Sequence, residues 1–182
     1  MSLFNTVIKI NDDQLHDYPQ AITSANTSVR IIPHGTKFIA KAYPAQTRVI
    51  DFGGGKFDNA KEYLSEFQID CEVYDPYNRT PIENNLVVHQ KYDILLCNNV
   101  LNTLTDDVME KAILDMAIIY KNCEIKTGFI TIYERDRNGI GLLTKAGQYQ
   151  RNEITKNYLI PLQKYFKLVI LEKKLIRIKG LK

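Results

Sequence analysis

The sequence predicts an α/β fold: a mostly parallel, Rossmann-like sheet that ends in an antiparallel C-terminal hairpin strand. Three observations carry this. From about Thr47 onward, short β-branched apolar runs alternate with longer amphipathic segments, the rhythm of βαβ units. The first of those runs is stopped by three consecutive glycines, Gly53 to Gly55. The last segment, "KLVILEKKLIRIK", holds two strand-like halves with no helix between them, so its second half runs against the rest.

Each element follows from its residues. "PHGTKFIAKAY" reads as a short helix ahead of the sheet. "RVIDF" is brief and apolar, as a strand covered on both faces must be. "FDNAKEYLSEF" spaces Ala60, Tyr63, Leu64 and Phe67 along one helical face, with Asp58 as its expected cap. "CEVYD" and "YDILLC" are the next strands. "TDDVMEKAILDMAIIYKN" is a long amphipathic helix, with Thr105, Asp106 and Asp107 suited to its start and Lys121 to its end. "GFITIYE" is a further strand. "EITKNYLIPLQKYF" reads as helical, kinked or broken at Pro161.

Composition bounds the function. With 182 residues, 45% hydrophobic and 25% charged, the chain has the make-up of a globular domain with a substantial core. We divide it into an N-terminal extension, residues 1–30, which is polar and weakly patterned, and a single domain, residues 31–182. A net charge of +3 is too small to argue for nucleic acid or a membrane surface. No apolar run approaches the roughly 18 residues of a membrane span, and the start lacks the pattern of a secretory signal. Cys71, Cys97 and Cys123 are odd in number and lack CxxC spacing, so neither metal nor disulfide use is expected. The reading is a cytoplasmic protein.

The turn "VIDFGGGKFD" is the informative motif. In an open parallel sheet, ligands bind beyond the carboxyl ends of the strands, and a glycine turn lets them approach the backbone. A P-loop is excluded, because Phe57 follows Lys56 where Ser or Thr is required and the upstream glycine is missing. A dinucleotide turn fits poorly. Asp58 occupies the place of its third glycine, and Asp51 would face a pyrophosphate. At about 4 Å and an effective dielectric near 20, two like charges cost roughly 4 kcal/mol. A cationic nucleoside fits better. S-adenosylmethionine carries an ammonium and a sulfonium, which welcome Asp51, and its ribose diol suits a second acid. Asp75, 20 residues after Gly55, stands at the end of the next strand. Either acid alone can be a turn former.

These residues resemble the first motif of class I S-adenosylmethionine-dependent methyltransferases, an acid-x-Gly-x-Gly turn, in Asp51, Gly53 and Gly55, with Asp75 as the acid after the second strand. "YDILLCNNVLNTL" looks like their fourth strand and the turn after it. More narrowly, "GGGKFDNAKEYL", "YDPYNRT", "NNVLN" and "TIYERDRNGIG" together resemble small methyltransferase-like proteins of phages and bacteria of undefined substrate. The resemblance spans about Ser28 to the end. It implies seven strands in order 3-2-1-4-5-7-6 with the seventh antiparallel, and S-adenosylmethionine as cofactor. The cofactor residues it implies are Asp51, Gly53, Gly54, Gly55, Asp75, Pro76, Tyr77, Asn98 and Asn99.

One departure is legible. Only 16 residues separate Asp75 from Tyr92, and a single crossover consumes about 10–12. The third strand is therefore expected to be short or missing, a stub around "NLVVH" at most. The adenine wall then falls to Pro76, Tyr77 and Asn78.

For chemistry, Asn98 lies where an acceptor side chain would face the transferred methyl group, and Glu134 ends a strand as a candidate base. Each has a plainer reading, as a turn former and a solvated acid. His34 and His89 lack acidic or cysteine neighbours in sequence. No proline pair follows the fourth strand and no Pro precedes a cysteine, so neither DNA-methylating signature is present. Nucleic acid stays open as an acceptor without a diagnostic motif. The loop from Arg135 to Asn152 interleaves Arg135, Arg137, Lys145 and Arg151 with Tyr149 and three glycines. It reads as a solvated loop, a base-stacking surface or a lid. Function is read as methyl transfer to an undetermined acceptor, with a non-catalytic cofactor-binding or interaction protein as the alternative.

Overall fold

The structure, a computed structural model, describes residues 15, 31–143, 147, 149–172 and 174–182. The N-terminal extension, Leu15 apart, and Lys145 of the loop lie outside the described residues. In chain order the elements are α1 (His34–Ala42), β1 (Arg48–Phe52), α2 (Asn59–Ser65), β2 (Asp70–Tyr74), α3 (Pro81–Val88), β3 (Ile94–Asn98), α4 (Asp106–Asn122), β4 (Thr127–Thr131), β5 (Leu142–Leu143), β6 (Tyr149–Gln150), α5 (Leu159–Leu162), β7 (Phe166–Glu172) and β8 (Leu175–Leu181).

The main sheet runs β2-β1-β3-β4-β8-β7. β2, β1, β3 and β4 are mutually parallel, and β8 lies antiparallel between β4 and β7. This is the expected order without its third strand, leaving β2 at the edge. The central strands are mostly apolar because both faces are covered. Ile50, Phe52, Leu95 and Cys97 join the core under α4 and α5, while Val49, Ile94, Leu96 and Phe129 join the other, which holds Ile39 of α1 and Leu64 of α2. By the two-residue alternation of a strand, Asp51 shares the face of Val49.

Three local readings are corrected. "NLVVH" is the end of a helix, not a strand stub. Thr80 and Glu83 form a reciprocal capping box, Glu83 N–H donating to Thr80 Oγ1 (3.2 Å) and Thr80 N–H to Glu83 Oε2 (2.7 Å), with Pro81 in the first turn. That nucleates a helix where the spacing had allowed a strand. Asp58 stands at the start of α2 but makes no capping hydrogen bond; its carboxylate pairs with Arg79. The segment around Pro161 divides into a 3-10 turn, Thr155–Tyr158, and the four-residue α5.

All three cysteines are free and buried. Among the described residues no helix is long and apolar enough to cross a membrane, and no cluster of three or more His, Cys, Asp or Glu side chains could hold a metal.

Candidate functional site

The carboxyl ends of β2, β1, β3 and β4 open into one cavity of about 540 Å³. It is lined by the glycine turn, by Asp51, Asp75, Pro76, Tyr77, Asn78, Asn98 and Asn99, and by Tyr133, Arg135 and Tyr149 from beyond β4. Glu134 is absent from this lining, and so are His34 and His89.

Backbone geometry brings the turn into place. Gly53 has φ +73°, a left-handed conformation that favours glycine, and donates its N–H to Tyr74 O (2.7 Å). A Cβ there would lie 2.6 Å from Val100 Cγ2, so the Val100 side chain leaves no room for one. At Gly54 a Cβ would sit 2.8 Å from Val73 Cγ1 and 3.0 Å from Asp51 Oδ2. The bare turn is what lets Asp51 reach the cavity.

Asp51 is 2% exposed, and its Oδ1 is buried with no hydrogen-bond partner. Desolvation, reinforced by the neighbouring charge of Asp75, pushes its pKa up from 3.8 to about 7. A buried carboxylate held so unfavourably is satisfied by a cation or by N–H donors. Asp75, 4% exposed, is tied into its own loop. Its Oδ1 accepts from the N–H groups of Tyr77 (2.9 Å) and Asn78 (3.0 Å) and from Asn78 Nδ2 (3.1 Å). Its Oδ2 accepts from Gly55 N–H (2.8 Å). A carboxylate offers about four acceptor sites, so Oδ2 alone keeps room for an incoming hydroxyl. Tyr77 packs beside it, and burial together with the Asp75 charge pushes its phenol up to about 12.

Sequence reasoning missed Asn84. Its Oδ1 accepts from Asp75 N–H (2.9 Å) and its Nδ2 donates to Asp75 O (3.0 Å). Tyr74 gives its carbonyl to Gly53, towards β1, so the next peptide groups turn to the open edge of the sheet. There the Asn84 amide does for Asp75 what a peptide of a third strand would do. We expect Asn84→Ala to lower stability by about 1–3 kcal/mol, read as a lower urea midpoint at unchanged m-value, because it strands two backbone groups at once. The only signal in the sequence was the Thr80–Glu83 capping box, which fixes α3 and hence where Asn84 points.

The two chemistry candidates are both engaged elsewhere. Asn98 Oδ1 accepts from Thr131 Oγ1 (2.6 Å), and its Nδ2 donates to Thr36 Oγ1 (3.0 Å). This chain ties β3 to β4 and α1, and α1 packs so closely that a Cβ on Gly35 would lie 2.8 Å from Asn98 Oδ1. Asn98→Ala is accordingly expected to cost about 2 kcal/mol of stability in a denaturation measurement, the penalty of two orphaned hydroxyls. Asn99 has φ +56°, donates its N–H to Thr131 O (2.9 Å) and faces the cavity. Glu134 is 2% exposed, and its Oε1 accepts from Thr155 N–H (2.9 Å) and Oγ1 (2.8 Å). Burial alone would raise its pKa, but these bonds, with Arg137 and Lys174 nearby, hold it below the ordinary value. It anchors a turn and stays ionised.

The long loop closes as a small hairpin of β5 and β6. Asn102, 2% exposed, donates to Gln150 Oε1 (3.2 Å), and Gln150 Nε2 donates to Tyr133 O (3.2 Å). These amides fasten the hairpin to the turn after β3. Arg137 pairs with Glu134 (2.8 Å), and Arg151 pairs with Asp106 (2.6 Å) and Glu153 (2.7 Å). Of the loop's described basic residues, only Arg135 lines the cavity.

Solved structures share this fold. One is the 1,6-didemethyltoxoflavin-N1-methyltransferase of Burkholderia thailandensis, with bound 1,6-didemethyltoxoflavin and S-adenosylhomocysteine (TM-score 0.55, 16% identity, 76% of this chain and 72% of that one). A second is a TehB-like S-adenosylmethionine-dependent methyltransferase of Corynebacterium glutamicum (TM-score 0.50, 15% identity, 84% and 89%). The chain has the class I methyltransferase fold. Human N-acetylserotonin methyltransferase, in complex with S-adenosylmethionine, shares it too, though this chain spans only 52% of that one (TM-score 0.50, 16% identity, 81% of this chain). No family model matches the sequence, and no curated protein does. In class I methyltransferase terms, strand three is missing among the described residues, and α3 with Asn84 closes the edge it leaves.

Proposed function

We propose that the protein is a methyltransferase that uses S-adenosylmethionine and transfers the methyl group directly to an acceptor. One observation carries the reading: two buried carboxylates, Asp51 and Asp75, meet across a side-chain-free turn at the mouth of the sheet, and the inner one has an unmatched oxygen. The cavity fits such a cofactor. Asp51 and the backbone of Gly53, Gly54 and Gly55 would hold the amino-acid end, Asp75 Oδ2 a ribose hydroxyl, and Pro76, Tyr77 and Asn78 the adenine. Bound there, S-adenosylmethionine supplies an activated methyl group on sulfur. The protein's own part is alignment and exclusion of water, worth roughly 7–11 kcal/mol in well-oriented systems, and it needs few reactive side chains. Asn98 supports the floor of the site through Thr36 and Thr131, and Asn99 lines the cavity beside it.

The domain proposed for this work is residues 31–182, with residues 1–30 as an extension, in a reducing cytoplasm that keeps the three buried thiols free. Its motifs resemble those of small phage and bacterial methyltransferase-like proteins. Titration calorimetry with S-adenosylmethionine and S-adenosylhomocysteine tests the reading: saturable binding of both is expected. Binding of neither would leave a fold without this function.

A further inference from the structure

The two ends of the cavity differ in chemistry. Both carboxylates sit at the tips of β1 and β2. Three strand spacings of about 4.8 Å put the tip of β4 about 14 Å from that of β2. At this far end Tyr133 and Tyr149 supply aromatic walls and Leu104 an apolar one. Tyr133 is 53% exposed, so its ring is open to a ligand in the cavity. Arg135 is the only cationic side chain lining the cavity among the described residues. Its ion pair to Asp136, at 3.5 Å, is long and its side chain is about one-third exposed, so the guanidinium is accessible from the cavity. No carboxylate or histidine among the described residues lines this end, because Glu134 is turned towards Thr155.

Resting on the methyltransferase reading above, we propose that the acceptor is a small aromatic anion, a carboxylate or phenolate, whose ring lies against Tyr133 and Tyr149 and whose charge is met by Arg135. A guanidinium favours the ionised form of an adjacent acid, so the acceptor oxygen arrives without its proton and no base is required. Its lone pair forms the oxygen–carbon bond to the methyl group as the carbon–sulfur bond breaks and that pair returns to sulfur. An anion and a sulfonium become two neutral products, and no proton moves. A cationic amine has the opposite needs: it would meet Arg135 and find no acid to take its proton. Ring stacking on the two tyrosines adds area that suits a flat molecule.

The test is calorimetry of 4-nitrobenzoate, 4-nitrophenol and 4-nitrobenzylamine on protein saturated with S-adenosylhomocysteine, with methyl ester or ether formation followed by mass spectrometry when S-adenosylmethionine is supplied. The two anions are expected to bind and the amine not. Arg135→Gln should weaken the anions about tenfold while changing the neutral 4-nitrotoluene less than twofold, and Arg135→Lys should restore part of the loss. Equal binding of the amine, no binding of the anions, tighter binding of a single-stranded oligonucleotide, or anion affinity untouched by Arg135→Gln would each overturn the proposal. If S-adenosylhomocysteine itself fails to bind, the cofactor reading is what fails. The anion titrations on the free protein, wild type against Arg135→Gln, then still decide the role of Arg135.

Discussion

Asp51→Asn should stabilise the ligand-free protein at pH 8 and remove its affinity for S-adenosylmethionine. The sign follows from the folded pKa of about 7 against the usual 3.8. Between those values the native state holds a proton that the unfolded chain has released, so stability falls as pH rises through the window and reaches its lower plateau above pH 7. Three units correspond to about 4 kcal/mol, of which an amide recovers part, since its own polar atoms meet the same dry surroundings. Thermal unfolding should show the variant several degrees above wild type at pH 8 and the two converging near pH 4. Binding has the opposite dependence. A cation requires the ionised carboxylate, so wild-type affinity should rise with pH up to about 7, with a proton released on binding at lower pH. Calorimetry in buffers of different ionisation enthalpy counts that proton. A variant that is less stable at pH 8, or that binds as wild type does, would remove Asp51 from the site.

The pairing of the two acids was visible in the sequence because it depends on neighbours a short crossover apart. A strand, a helix and a strand return the chain to the same end of the sheet, so Asp51 and Asp75 meet whatever the details between them. The strands were legible for a similar reason: a strand buried on both faces is mostly apolar, and that run is its signature. The hidden parts join residues without any local pattern. Thr36, Asn98 and Thr131 meet across spans of 62 and 33 residues. Asn102 and Gln150 are 48 apart. Each is a polar side chain without a partner in its own stretch of sequence. Only packing reveals that Asn98 ties Thr36 to Thr131. Glu134 is the same case, since nothing before Thr155 announces that its carboxylate will be capped there. The apolar run "NLVVH" reads as a strand stub in isolation, and the capping residues ahead of it make it the end of a helix.

Asp75→Ala should cost both folding and binding, and Asp75→Asn should separate the two. Removing the carboxylate strands the N–H groups of Gly55, Tyr77 and Asn78 together with the Asn78 amide, four donors that now converge on it. Several of these sit at the cavity and find water once exposed, so the loss is smaller than four unmet bonds and comes to about 3 kcal/mol. The asparagine keeps an oxygen for the inner three donors but turns an N–H₂ towards Gly55 N–H, where donor faces donor. It should therefore fold within about 1 kcal/mol of wild type, yet lose the turn's geometry and the acceptor that a ribose hydroxyl needs. The removal of one like charge has a second effect. Asp51 loses the repulsion that helps raise its pKa, so the pH at which wild-type stability declines should move downward in Asp75→Asn, though not to the ordinary value, because desolvation is the larger cause. Urea titrations across pH 5 to 8 read both effects at once. If the decline stays where it is in wild type, the two acids are not electrically coupled, and a shared ligand clasp loses its basis.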